Sequence, residues 1–443
     1  MKTDFINELG VMFTENNSIS DDIYNKLNVK RGLRNKNGTG VLVGLTKIGS
    51  VLGYSIDKDG KKIPADGKLY YRGIPIEKLV ALFKKEKTFC FEKTIFLLLF
   101  GKVPSNFELK MFISTLKEYQ HLPDEFIEDF ILRKPSTDIM NQLQRSVLCL
   151  YTLDENPDDV SLSNLIDQSL NLIAKFPSLL VYCYQACNYK HFNKSLIIHN
   201  PVEEYSIAQN VLHMLRSDNQ FTELEAEVLD LILVIHAEHG GGNNSTFTSH
   251  VVSSTRTDTY SSISASIGAL KGPMHGGANS MVTKMVEDIK KNTNPYDEVK
   301  LKEYLKKIFN KEAFDKKGRI YGMGHAVYTI SDPRAVLLKK KAYELAKEKN
   351  ALEEFELFSN IEKLTKEIGK ETKGKNFEIC ANVDLYSGFV YKLLNIPQNI
   401  FTPLFALARI ASWNAHRIEQ IIIDKKLIRP AYKTIDEEGN VIL

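Results

Sequence analysis

Cysteine is scarce in this chain and follows no pattern. The five cysteines (Cys90, Cys149, Cys183, Cys187, Cys380) are odd in number and form no CxxC pair. That excludes a disulfide scaffold and a thiolate metal cluster, and leaves buried reduced thiols as the expectation. Charge of one sign is also lacking. The 58 basic and 55 acidic residues leave a net +3, too little to announce a nucleic-acid partner. Clusters such as Lys339-Lys340-Lys341 and Lys425-Lys426 read as solvated helix faces. No apolar run reaches the ~18 residues of a membrane span. The N-terminus, Met1-Lys2-Thr3-Asp4-Phe5, is acidic early and lacks the apolar core of a targeting segment. Glycine and proline (25 and 14 residues) are too few for a disordered or repetitive chain. The expectation is a cytoplasmic protein of 443 residues with ample length for a large core.

What is present is mostly helical. Only residues 38–72 read as β structure, with Val41–Gly44 and Val51–Tyr54 as short apolar runs and Ile56–Gly60 as the turn between strands. Pro104, Pro123, Pro135, Pro157, Pro177 and Pro201 divide the next stretch into segments of helix length. Thr222 with Glu225 forms a capping box ahead of an apolar helix that runs to His236. A Ser- and Ala-rich helix is expected over about Val252–Leu270, then one capped by Asn279 or Ser280. Asp332-Pro333 signals a helix of about Pro333–Lys349. Lys363–Lys375 reads as exposed helix and loop, and residues 1–30 carry no element signal.

Three polar islands interrupt this pattern: Gly272-Pro273-Met274-His275-Gly276-Gly277, Gly322-Met323-Gly324-His325, and Asn382-Val383-Asp384. Two histidines in glycine-rich loops, with a carboxylate further on, suit an enzyme that removes a proton from one carbon and polarises a carbonyl on another. His275 precedes a helix N-terminus, whose dipole disfavours imidazolium. Asp384 follows a largely apolar approach, so partial burial should raise its pKa and strengthen it as a base. Arg334, Arg409 and Arg429 each suit a carboxylate. Arg409 is the sharpest case, because Phe405–Ala411 looks buried and a buried guanidinium needs an anion. His236, Glu238 and His239 could suggest a metal, but the i, i+4 spacing of the helical zinc motif is not met. His236 closes an apolar helix and reads as structural, while His239 adjoins Gly240-Gly241-Gly242 and reads as exposed to a ligand.

Taken in order, these residues resemble the citrate synthase family. The resemblance spans about residues 30–432. It rests on Tyr71–Ile76, His236–Asn243, Lys271–Gly276, Tyr321–Tyr328, Asp332-Pro333-Arg334, Asn382-Val383-Asp384, Arg409 and Arg429-Pro430. It implies a mainly α fold with a short β region near the N-terminus. The implied large helical domain comprises 1–277 and 386–443, with a smaller helical domain at 278–385. It further implies a homodimer and an acyltransferase of the si type that joins acetyl-CoA to oxaloacetate, with no metal and no permanently bound cofactor. Asp384 would take the methyl proton, His275 would stabilise the enol, and His325 would polarise and protonate the ketone. His239, Asn243, Arg334, Phe405 and Arg409 would bind oxaloacetate, with Arg429 reaching across the dimer. Met274, Gly322, Met323 and Gly324 would meet CoA.

The chain departs from several members in placing Ala326-Val327-Tyr328-Thr329 after His325, where they carry an arginine. Arg31, Arg34 or Lys271 would then face the CoA phosphates. The rival nearest in chemistry is 2-methylcitrate synthase, which differs by one methylene of acyl substrate, worth only ~1–3 kcal/mol. A metal hydrolase on His236, Glu238 and His239 predicts bound zinc. A non-catalytic CoA-binding protein predicts binding without turnover. A thiolase-like enzyme is disfavoured, since no cysteine sits in an activating context.

Overall fold

The computed structural model describes residues 2–85 and 89–442. Met1, residues 86–88 and Leu443, which fall within the expected large domain, lie outside the described residues. The chain is mainly α-helical, and it divides into two compact units. One comprises residues 2–44, 57–62 and 428–442; the other comprises 45–56 and 63–427.

The first unit holds helices Lys2–Asn17 and Asp21–Lys26 and a hairpin pairing Thr434–Ile435 with Val441–Ile442. Neither helix was signalled by the sequence, for a physical reason: Lys2–Asn17 buries none of its residues, so no core-facing stripe is needed. Val41–Gly44 is not a strand. Leu42 and Val43 are exposed and the segment makes no ladder, so the apolar run lacked a partner to pair with.

The strands β1 (Gly49–Ile56), β2 (Lys62–Tyr71) and β3 (Ile74–Pro75), in the order β1-β2-β3, belong to the second unit from Ile63 of β2 onward and in all of β1 and β3. β2 and β3 pair antiparallel, with Tyr71 opposite Ile74. The rest is helical. The longest helix, Leu162–Phe192, runs 31 residues straight through Pro177. Its buried apolar faces outweigh the lost hydrogen bond, so the proline does not end it. The expected Val252–Leu270 helix is two, Asn244–Ser253 and Thr259–Lys271, and Asp258 caps the second through the Ser261 N–H. The next helix, Ala278–Asn292, starts after Gly277. Asn279 does not cap it, because it already lies within the first turn; its amide donates to Ser387 Oγ. The Thr222–Glu225 capping box and the Asp332 N-cap form as expected. Helix Leu352–Lys373 is less exposed than its polarity suggests, burying Leu364 and Ile368.

The core centres on helix Phe401–Ile418, in which Trp413, Arg409 and Arg417 are fully buried. Among the described residues no helix is long and apolar enough to cross a membrane.

Candidate active site

The loop carrying His325 is clamped by the β sheet. Ala65 N–H donates to Thr329 Oγ1 at 3.0 Å and Gly67 N–H to Ser331 Oγ at 3.1 Å. A Cβ at Gly53 would lie 2.5 Å from the Val327 carbonyl oxygen, and one at Gly67 would lie 2.0 Å from that of Ser331. Only glycine allows this approach. The clamped loop turns its own amides onto the imidazole: Nδ1 of His325 accepts from Val327 N–H at 3.0 Å and Tyr328 N–H at 3.2 Å. Burial, and then the Arg334 guanidinium, push the His325 pKa down to about 4. The ring is therefore neutral with its proton on Nε2, a hydrogen-bond donor aimed away from the loop.

His275 reaches the same state by a different route. Its Nε2 accepts from Ser245 N–H at 3.4 Å and lies 3.1 Å from Ser245 Oγ. That hydroxyl donates to Asn243 Oδ1 at 3.0 Å and accepts from Trp413 Nε1 at 3.2 Å. The proton is left on Nδ1. Burial, and then Arg409, lower the His275 pKa to about 4. Burial is thus the first cause of the expected neutrality.

Asp384 sits in the first turn of helix Val383–Leu393, whose N-cap Asn382 accepts the Asp384 N–H at 3.0 Å. Burial raises its pKa to about 6; Arg334 opposes the rise and Asp332 adds to it. A carboxylate poised there is ionised at neutral pH yet basic enough to take a proton from carbon.

Two arginines of helix Phe401–Ile418 contrast. Arg417 is satisfied by protein, donating to Thr259 Oγ1, Ser253 Oγ and the Thr257 carbonyl. Arg409 donates only its Nε, to the His236 carbonyl at 2.9 Å. Its Nη1 and Nη2 are buried without a partner. Burial lowers its pKa to about 10, which leaves it cationic. A buried two-pronged donor of this kind fits a ligand carboxylate. Phe405 stacks against it, 4.9 Å from ring centre to guanidinium carbon, and also packs on His236 and His275.

Arg334 is buried and grips Asp332 with Nε at 3.1 Å and Nη2 at 2.8 Å. Burial opposes its charge, but Asp332 raises its pKa overall. His239 packs 5.2 Å from His325, ring to ring, and its Nε2 is buried without a partner. Burial and Arg334 hold its pKa well below the ordinary value. His236 bonds its own helix, Nδ1 to the Ile232 carbonyl at 2.8 Å, as a structural residue does. Glu238 turns from both histidines to His416 Nε2, 3.2 Å away.

The structure thus gathers His239, Asn243, His275, His325, Arg334, Asp384, Phe405 and Arg409 within the second unit. Arg429 belongs to the first unit and is exposed. Met274 is fully exposed. The 322–324 loop zips onto 380–382: Gly324 N–H donates to the Cys380 carbonyl, and Asn382 donates to the carbonyls of Gly322 and Gly324. Of the basic residues considered for CoA, Lys271 pairs with Asp138 and Arg31 with Asp21, while Arg34 caps the Gly38 carbonyl. A cleft of about 420 Å³ between Leu109, Leu116, Pro177 and Tyr205 shares no residue with this cluster. Sequence reasoning missed Ser245, Tyr328, Asp332 as a partner, and Trp413. Of these, only Trp413 carries a signal readable from composition, as the single tryptophan.

Such a site defines an acid–base enzyme on a mainly helical fold, built for a small carboxylate substrate. The family profile described as citrate synthase, C-terminal domain, matches residues 36–431. The chain belongs to the citrate synthase family, whose members are acyltransferases. It is 35% identical over 372 residues to citrate synthase of Synechocystis sp., covering 82% of this chain and 84% of that one. It is 33% identical over 384 residues to 2-methylcitrate synthase 1 of Corynebacterium glutamicum, covering 85% and 92%. A solved ternary complex of Thermoplasma acidophilum citrate synthase with carboxymethyl coenzyme A and oxaloacetate superposes with a TM-score of 0.71. That pair is 26% identical, covering 91% of this chain and 95% of the other.

Proposed function

We propose that this protein condenses acetyl-CoA with oxaloacetate and water to give citrate and CoA. The observation that carries the reading is the orphaned Arg409 guanidinium beside the neutral His275, together with a neutral His325 and a basic Asp384 that share Arg334 as neighbour. Asp384 takes a proton from the acetyl methyl group while the Nδ1–H of His275 holds the thioester oxygen, giving the enol. The enol carbon attacks the ketone of oxaloacetate as His325 donates its Nε2 proton to the forming alkoxide. Water then cleaves the citryl thioester, releasing citrate and the CoA thiol. Positioned proton transfers of this kind contribute roughly 10²–10⁴-fold each.

Arg409, Arg334, His239 and Asn243 hold oxaloacetate, with Phe405 as an apolar wall. Met274 and the Gly322-Met323-Gly324 loop meet CoA. Residues 278–385 form a smaller body that closes on the large one when oxaloacetate binds. The enzyme works in the cytoplasm as a homodimer in which Arg429 reaches the other subunit's site. It needs no metal and no permanently bound cofactor. Five free cysteines suit a reducing compartment.

The test is oxaloacetate-dependent release of CoA thiol from acetyl-CoA and propionyl-CoA, with and without chelator. Faster release from acetyl-CoA, insensitive to chelator, is expected. A preference for propionyl-CoA would move the activity to methylcitrate synthesis, and no release from either would overturn it.

A further inference from the structure

A polar chain that the chemistry above does not use ends at Glu238, a neighbour of Arg409, and is buried at that end. His250 Nδ1 lies 3.0 Å from Gln420 Oε1, and His250 Nε2 lies 3.1 Å from His416 Nδ1. His416 Nε2 lies 3.2 Å from Glu238 Oε2, and both of these residues are fully shielded from solvent. The Gln420 amide cannot be reversed. Its Nε2 donates to Asp424 Oδ2 and to the Lys426 carbonyl, each at 3.1 Å, which leaves Oε1 facing His250.

Proton counting along this chain gives a definite answer. Gln420 Oε1 accepts, so His250 Nδ1 carries a proton. The Glu238 carboxylate accepts, so His416 Nε2 carries one. The bond between the two rings needs a third. Two neutral imidazoles hold only two, so with Glu238 ionised the pair carries one positive charge opposite it, although burial, and then His416, lower the pKa of His250. The Glu238 carboxyl is ionised: burial raises its pKa, but His416 and Arg409 outweigh burial and hold it below the ordinary range.

The other charged groups around the chain are few. Glu419 Oε2 stands 3.9 Å from His416 Nδ1, while its Oε1 accepts the Lys47 N–H. Arg72 feels both Glu419 and Glu238. Arg409 is the cation on the substrate side. Glu238 also accepts the Gly240 N–H through Oε1 and donates its own N–H to Tyr71 Oη, so it shapes the turn that presents His239.

We propose that His416 and His250 are positioning residues for oxaloacetate binding. Their shared proton engages Glu238, keeps that carboxylate off Arg409, and reserves the Arg409 guanidinium for a carboxylate of the substrate. The inference rests on the reading that Arg409 binds oxaloacetate. Without the imidazolium, Glu238 would turn to the nearest uncommitted cation, Arg409, and compete with substrate.

Nitrogen NMR of histidine-labelled enzyme tests the proton count with no variant needed. One of the two rings should show both nitrogens protonated at pH 7. Glu238→Gln should abolish that signature, because an amide at 238 can donate to His416 Nε2 and close the chain with neutral rings. Two neutral rings in the unaltered enzyme would overturn the proposal. In kinetics, His416→Leu should raise KM for oxaloacetate about tenfold or more while KM for acetyl-CoA stays within about twofold. The double variant Glu238→Gln/His416→Leu should recover oxaloacetate affinity, which a merely structural role would not allow. A folded His416→Leu with unchanged oxaloacetate KM, or a double variant no better than the single, would overturn it. Calorimetry separates the two readings. Unaltered enzyme that fails to bind oxaloacetate overturns the activity assigned above, and the nitrogen spectra still decide the proton count.

Discussion

His325 and Arg334 meet donor to donor, with Nε2 of the imidazole 3.5 Å from Nη2 of the guanidinium. Because Nδ1 of His325 already accepts two backbone N–H groups, the neutral ring must carry its proton on Nε2. Two N–H groups therefore face a shared space, which only an acceptor oxygen satisfies. On the proposed reaction that oxygen belongs to oxaloacetate, and the developing alkoxide strengthens the bond as the ketone is attacked.

His325→Asn should accordingly lower kcat by roughly 10²–10⁴ while oxaloacetate still binds. Steady-state kinetics beside calorimetry checks this. A change confined to a raised KM would point to a binding role instead.

On the proposed reaction Asp384 should set the acid limb of the pH profile. With its pKa raised to about 6, it is protonated, and useless as a base, below that pH. Log kcat/KM should fall with unit slope as pH drops through about 6. His275 and His325, with pKa values near 4, add no second limb until far lower pH. A profile flat to pH 5 would contradict the assignment.

The same shift has a stability sign. A carboxyl whose folded pKa is raised favours the fold below the unfolded pKa of about 3.9 and loses that contribution as pH rises through 6. Asp384→Asn should therefore stabilise the protein at pH 7, by on the order of 2–3 kcal/mol, and hardly at all at pH 4. Denaturant titrations at both pH values would show the difference, alongside loss of turnover.

Arg409→Leu removes a buried charge whose Nη atoms have no protein partner. Thermal midpoint without ligand should hold or rise, while the upward shift that oxaloacetate gives the unaltered enzyme should vanish. Arg417→Leu should do the opposite in the first respect, since it strands the acceptors on Thr259, Ser253 and Thr257.

Ser245→Ala deletes the hydroxyl that links His275 to Asn243 and Trp413. The ring keeps its backbone donor but loses the hydroxyl that stands 3.1 Å from Nε2. About a tenfold fall in kcat with little change in either KM is the expected split. Equal losses with an altered oxaloacetate KM would assign Ser245 to the Asn243 side instead.

Much of this protein was determined locally. The helix starts at Thr222 and Asp332, the apolar helix ending at His236 and the polar islands around His275, His325 and Asp384 are all legible within a few residues of chain. Capping, periodicity and glycine breaks are short-range effects. The need of Arg409 for an anion was legible too, because its neighbours are apolar. Tertiary structure decided what each group is doing. Arg409 and Arg417 sit on one helix in similar apolar company, and only the fold shows that one is satisfied and the other is not. The tautomers of His275 and His325 depend on Ser245 and on the amides of Val327 and Tyr328, held by distant strands. The charge proposed for the His250–His416 pair needs Glu238 and His250 brought against His416 and Gln420, far away in the chain. Protonation answers to desolvation and to neighbours through space, and neither is written in local order.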